Sequence, residues 1–461
     1  MAAPGRTIDP HRLTLLQGLI RSLPAASLRA LETALGLSKD AALAGVRDLI
    51  AVEMESRQVR DAVFQPFLPL FEARRDGLEG VRFPRRFLSN IWNGLAAREA
   101  DLFREAFATL RALRPEDPTP VVFFRLTKAG ADLCRAEPEA VAGSAPEARN
   151  EAVELARYFD LHRIIRQTLS RMPEFMGRID AEKAAALRVL FKDAAEFEDE
   201  SGCRFLELIF ANLEDGGQII KFMATVADRP KDRFLAESEL AVFGERILAH
   251  IEARVAALRQ EMGTRTRPCE DMGLAAQHVA QALAQLQSFE HYVELARDGP
   301  WGRRVAAAHK EVAALVEQVM GGADKQLAQI LPMRSERVHG RLKRETPDLD
   351  AEVAPARLEQ ALQVMNFIRQ ARVIAVSGGF SSLHAKTTQA LEAYMDDWFG
   401  HLLSDANSGD LSDVDRAAEA FERVAGLMAA LCGEDKARTA RRRVAASELF
   451  KPRSGANGDA A

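Results

Sequence analysis

Residues whose types and spacing could do chemistry gather at a few places in this chain. In Val376-Ser377-Gly378-Gly379-Phe380-Ser381-Ser382, with His384 and Lys386 just beyond, small residues stand immediately ahead of a helical pattern. A helix start of this kind presents free backbone N–H groups and the positive end of the helix dipole, the geometry that holds phosphate. Lys386, one turn into the helix, would add a cation, so Ser377, Gly378, Gly379, Ser381 and Lys386 form a candidate anion site. The spacing completes neither GxxxxGK[ST] nor GxGxxG, and a helix-to-helix turn uses the same residues for its own closure. The turn is the preferred reading.

The second anion candidate is electrostatic. Lys436, Arg438, Arg441, Arg442 and Arg443 form the densest basic cluster, behind the last clear helical pattern. Such charges meet phosphate backbones, anionic lipid heads or an acidic protein. No aromatics are interleaved to stack bases, which makes an ordinary solvated helix end the plainer reading. Arg334, Arg337, Arg341, Lys343 and Arg344 make a smaller set of the same kind.

A third candidate is aromatic. Tyr394, Trp398 and Leu402 share one helix face through their i,i+4 spacing, with Phe399 off it. Trp and Tyr anchor interfaces, so this is a candidate partner-binding face, although a core face has the same composition.

Metal and nucleophile chemistry find less support. A di-metal bundle needs paired Glu-x-x-His units on facing helices, and the chain has a single such spacing, Glu336 to His339, in a polar segment. His162, His278, His291 and His309 are scattered over different helical patterns without an HExxH. His162 alone falls on an apolar stripe, where a histidine bonded to a backbone group is expected. Cys134, Cys203, Cys269 and Cys432 lie far apart with no CxxC, and there is no GxSxG. The sequence assigns no metal, cofactor or catalytic residue.

The elements that must position these residues are helices. Glu239 to Met262 organises the chain: Leu240, Phe243, Ile247, Ile251, Val255, Leu258 and Met262 recur at spacings of three and four, with most charges off that stripe. Similar stripes fill most of the 461 residues, and 47% hydrophobic content is enough to bury a substantial core. The expected fold is all-α, in irregular multi-helix bundles of elongated arrangement, because loops and helices are unequal in length and no fixed-period repeat is present. Residues 1–10 are expected to be disordered, 11–135 to form an N-terminal helical domain, 136–150 a linker rich in Pro and Gly, 151–332 a central bundle, 333–450 a C-terminal bundle and 451–461 a disordered tail. Pro66 and Pro69 force a break, and the cluster Phe64, Phe67, Phe71, Phe83, Phe87 and Trp92 packs around it as core. Phe87 to Leu113 is expected as one further helix. Val121 to Leu126 is the best strand candidate by composition, yet a lone strand leaves its backbone groups unpaired, so a buried helix start is preferred. Short apolar segments at 181–197, 205–213 and 219–226 are expected to be the inner packing layer of the long helix. In Val305 to Ile330, Val305, Val312 and Val319 resemble a heptad too short for a free coiled coil. Arg334 to Pro347 is expected to be a loop or short exposed helix.

The balance of 62 basic and 67 acidic residues, net charge -5, argues against a chain wholly dedicated to wrapping nucleic acid. Met1 to Pro10 lacks a secretory pattern and no window approaches a membrane-spanning length, so a cytoplasmic protein is expected, with Ala and Arg usage that suits a GC-rich bacterial genome. Extensive amphipathic helix without a catalytic cluster favours a non-catalytic adaptor or assembly subunit, holding protein partners or further copies of itself. Two alternatives stand beside it. One is an enzyme or small-ligand-binding protein with an interhelical pocket; the other is a factor that uses the basic clusters on nucleic acid or an anionic membrane surface.

Overall fold

The computed structural model describes residues 10–37, 43–114, 116–262, 271–339, 342–409, 411 and 413–447. The chain is all-α apart from one two-stranded sheet, and it divides between Asp215 and Gly216 into two compact units. The expected disorder at residues 1–9 and 451–461 lies outside the described residues; Pro10 already belongs to a helix.

The N-terminal unit opens with α1 (Pro10–Ser22), α2 (Ala25–Leu37) and α3 (Ala44–Val63). Pro24 ends the first helix and its carbonyl then accepts from Leu28 N–H, starting the second. The three share a small core of Ile20, Leu28 and Ile50, flanked by Leu23, Leu35, Val46, Leu49 and Met54. Pro66 and Pro69 convert the next stretch into a 3-10 turn, Gln65–Phe71. The aromatic cluster around it is core: Phe64 and Phe67 pack on Phe159 at 5.1 and 4.9 Å, and Phe83 on Tyr158 at 5.7 Å.

The rest of the unit comprises α4 (Arg85–Arg98), α5 (Ala100–Ala112), α6 (Val121–Ala136), α7 (Pro138–Ala142), α8 (Pro146–Asp160), α9 (His162–Ser170), α10 (Met172–Met176), α11 (Ala181–Ala195) and α12 (Ser201–Ala211). The single helix expected over 87–113 is two, broken at Glu99. The strand-like run at Val121 is helical: Val122, Phe123 and Leu126 are buried on one face, while Val121 faces solvent. Residues 136–150, expected as a linker, hold α7 and the start of α8. Pro138 and Pro146 stand in first turns, where a proline costs no hydrogen bond, and Gly143 takes the turn between them with φ +93°. α12 is tied to α8 by Arg204, whose guanidinium lies 2.6 Å from Glu154 and 3.0 Å from Glu200.

The C-terminal unit contains α13 (Gly216–Val226), α14 (Asp232–Ala236), α15 (Ala241–Glu261), α16 (Met272–Tyr292), α17 (Pro300–Ile330), β1 (Met333–His339), β2 (Leu342–Pro347), α18 (Pro355–Ala371), α19 (Ser381–Ser408), α20 (Val414–Cys432) and α21 (Glu434–Ala445). The stripe of α15 is buried from Phe243 to Leu258 and packs on α13, α14, α16 and α17. Of the three apolar segments expected as its inner layer, only 219–226 belongs to this unit, within α13; 181–197 and 205–213 pack in the other. On α17 burial falls on Val305, Ala308, Val312, Val316, Met320, Ala323 and Leu327, drifting off the strict heptad as an unsupercoiled helix does.

Arg334 to Pro347, expected as loop or helix, is an antiparallel hairpin with Met333 opposite Pro347 and Arg337 opposite Lys343. It carries no apolar run to announce a strand. Its tie to the fold is a buried Thr346 and the packing of β2 on α19.

Candidate functional site

The glycine turn spends its own amides. Phe380 N–H donates to the Ala375 carbonyl at 3.0 Å and Gly379 N–H to Val376 at 3.2 Å, the paired bonds of a Schellman closure; Gly378 N–H and the Ser377 hydroxyl both donate to Ile374. Gly379 has φ +74°, and a Cβ on Gly378 would stand 2.1 Å from the Phe380 ring, so both glycines serve the turn. His384 Nε2 donates to the Ile368 carbonyl at 2.8 Å, while Ser381 and Lys386 are exposed beyond the closure. The amides of Gly378, Gly379 and Phe380 are thus spent on closing the turn.

The C-terminal basic cluster is largely matched by carboxylates. Lys436 lies 2.9 Å from Asp396, Arg438 3.2 Å from Asp435, and Arg441 is shared between Glu422 and Glu434 at 3.1 and 2.9 Å. Arg443 lies over the Phe399 ring and Arg442 is exposed. In the second basic set Arg334 pairs with Asp350, and the side chains of 336–344, which include Glu336 and His339, lie outside the described residues.

The aromatic face turns inward. Trp398 and Leu402 are each 1% exposed; Trp398 Nε1 donates to the Pro332 carbonyl at 3.1 Å and the Tyr394 hydroxyl to Leu331 at 2.7 Å. This face locks α19 onto the end of α17, so it is core and not a docking surface. The thiols are similarly occupied: burial pushes Cys134 up to about 12, and burial together with its hydrogen bond to Glu392 does the same for Cys432. Neither is a ready nucleophile at neutral pH. Among the described residues no group of His, Cys, Asp and Glu is placed to hold a metal ion.

A different site emerges in the N-terminal unit, a cleft of about 470 Å³ between the α1–α2 junction, α3 and α4. Glu53, Ser56, Arg57, Arg60 and Asp61 face it from α3 at spacings of three and four, and Arg85, Ser89, Trp92, Asn93 and Ala96 from α4 in the same rhythm, joined by Arg86. Arg57 builds the floor. Its guanidinium donates to the carbonyls of Leu23 (2.9 Å), Arg21 (3.0 Å) and Ile20 (3.3 Å), the acceptors a helix end leaves open, and to Glu53 at 2.7 Å. Trp92 Nε1 donates to the Ser56 hydroxyl at 2.9 Å, stapling α4 to α3, and Arg60 pairs with Asp61.

The rim is different. Arg86 has its guanidinium near the Phe87 ring and no ion pair among the described residues, and Arg21 likewise has none. Arg85 reaches Glu72 only at 3.6 Å with both side chains mostly exposed. Five arginines against two carboxylates leave the cleft strongly positive. Arginine keeps its proton throughout the physiological range, so this chemistry binds anions and transfers no proton. On α1, Leu15 and Leu19 are 63% and 57% exposed, one turn apart.

Sequence reasoning missed this site because its arginines are spread over three helices, α1, α3 and α4. The polar rhythm from Glu53 to Asp61 was the available signal, and it reads equally as a solvated face. The chain matches no protein-family model, no curated protein and no solved structure. No helix among the described residues is long and apolar enough to cross a membrane.

Proposed function

We propose that the protein is a non-catalytic helical adaptor or assembly subunit that holds a protein partner on the surface of its N-terminal helices. The observation that carries this reading is the pair Leu15 and Leu19, side by side on one face of α1 and open to solvent. Burying a leucine contributes about 1.5–3 kcal/mol, so a partner covering both gains a meaningful share of a binding free energy. Beneath them, α1 is held to α3 by Ile20 and by the Arg57 clamp, which presents the face in a fixed orientation. Leu31, Leu37 and Val52 add exposed apolar area on the two neighbouring helices.

The test is affinity capture of the tagged full-length chain from its native lysate at moderate and high salt, comparing wild type with the Leu15→Glu, Leu19→Glu double variant. A stoichiometric protein that survives high salt on wild type and is lost from the variant is the expected result. Capture that is identical for both, or a lone chain retaining only a small molecule, would overturn the reading. A change in native mass between wild type and variant would identify the partner as a second copy.

A further inference from the structure

We propose that the arginine rim of the N-terminal cleft receives the carboxylates of an acidic amphipathic segment of that partner, an inference that rests on the docking role of α1. Two surfaces adjoin here. Leu15 and Leu19 mark one face of α1, and the next residue on that face, Ser22, already lines the cleft. At about 1.5 Å per residue, the span from Leu15 to Ser22 is about 10 Å, so a partner helix of three turns reaches from the leucines into the cleft. There it meets Arg21 from one side and Arg85 and Arg86 from the other. A ligand that satisfies the whole surface is apolar at one end and anionic at the other.

Charge complementarity selects the anion carrier. The floor arginines, Arg57 and Arg60, are already engaged by Glu53 and Asp61, whereas at the rim Arg21 and Arg86 have no ion pair among the described residues and Arg85 meets Glu72 only at 3.6 Å, leaving guanidinium forks that match carboxylate oxygens. Nucleic acid fits less well: Trp92 is 5% exposed and packed on Phe103 at 4.2 Å, so the cleft has no aromatic platform for bases, and a phosphate backbone has no use for the leucines. The rim arginines are exposed, and reversing them leaves the Arg57 clamp and the Trp92 staple intact.

The experiment is display selection of random peptides, about 20 residues long so that they span the surface as helices, on the immobilised full-length chain. Wild type is compared with the Arg21→Glu, Arg85→Glu, Arg86→Glu triple variant, whose helix content and melting are checked first. Wild type should enrich peptides that combine Asp or Glu with leucine-like residues at helical spacing. Individual winners should bind the triple variant at least about tenfold more weakly, with the difference shrinking at high salt. No enrichment, winners without acidic bias, or acidic winners that bind both proteins equally would overturn the proposal. An oligothymidylate that binds more tightly than any winner, and is lost in the triple variant, would overturn it too, by placing a phosphate backbone in the cleft. Winners that depend on Leu15 and Leu19 but ignore the arginines would sink this inference and leave the adaptor reading standing.

Discussion

At the residue scale His162 shows how a chemically suggestive side chain becomes structural. Its apolar stripe was legible in the sequence, and so was the expectation of a backbone partner. The structure supplies that partner: Nδ1–H donates to the Phe159 carbonyl at 2.8 Å, with the ring against Phe124 and only 8% exposed. Burial, aided by Arg163 and Arg166, outweighs the Phe159 bond and holds the imidazole below its ordinary value of 6.5. The folded chain therefore resists a proton that the unfolded chain accepts, and stability falls as pH drops through about 6.5 toward the folded value. In urea unfolding, the advantage of wild type over His162→Gln should shrink between about pH 7.5 and 5.5. A gap that stays constant would show that the ring does not titrate as argued. Trp398 and Leu402 are a contrasting case. Their shared face was equally legible, but whether it met solvent or α17 depended on residues more than sixty positions away.

At the element scale the start of α17 is the sharpest construction. Asp232 is 1% exposed, and its carboxylate accepts from the backbone N–H of Trp301 at 3.1 Å and of Gly302 at 3.0 Å, at the positive end of a 31-residue helix. Gly299 allows this approach, since a Cβ there would stand 1.8 Å from the Asp232 Oδ2, and a Cβ on Gly302 would stand 1.9 Å from the Ala296 carbonyl oxygen. Trp301 in turn donates from Nε1 to Glu245 of α15 at 2.7 Å, over a glycine, Gly244, that leaves room for its ring. Asp232→Ala strands two buried donors and should cost about 2–3 kcal/mol in chemical denaturation, with Asp232→Asn losing less because one acceptor oxygen remains. An unchanged midpoint for the alanine variant would remove Asp232 from this role. The helix boundaries at Pro300 and Ile330 follow local rules; a cap supplied by Asp232, 69 positions from Trp301, does not.

For the whole molecule, the division at Asp215 and Gly216 leaves each unit with its own buried aromatic core, Phe64, Phe67 and Phe159 in one and Phe243, Phe289 and Trp301 in the other. Fragments 1–215 and 216–461 produced separately should each give a helical circular dichroism spectrum and a cooperative melt. A fragment that stays unfolded would mean that its core is incomplete without the other unit. The all-α class was readable from sequence because the 3.6-residue period is a property of the local backbone, and the stripe from Phe243 to Leu258 records it directly. The hairpin at 333–347 was not readable, since two short polar strands leave no periodic trace. Charge was read least well. Lys436 and Arg441 look like a free basic cluster until Asp396 and Glu422, 40 and 19 positions away, are brought against them. The arginine cleft is the converse, a positive site assembled from Arg21, Arg57 and Arg85 that no single segment announces. Helix periodicity is decided by neighbours within a turn or two, so the sequence carries it; neutralised charge and concave surface are decided by which distant helices meet, and only the packed chain fixes that.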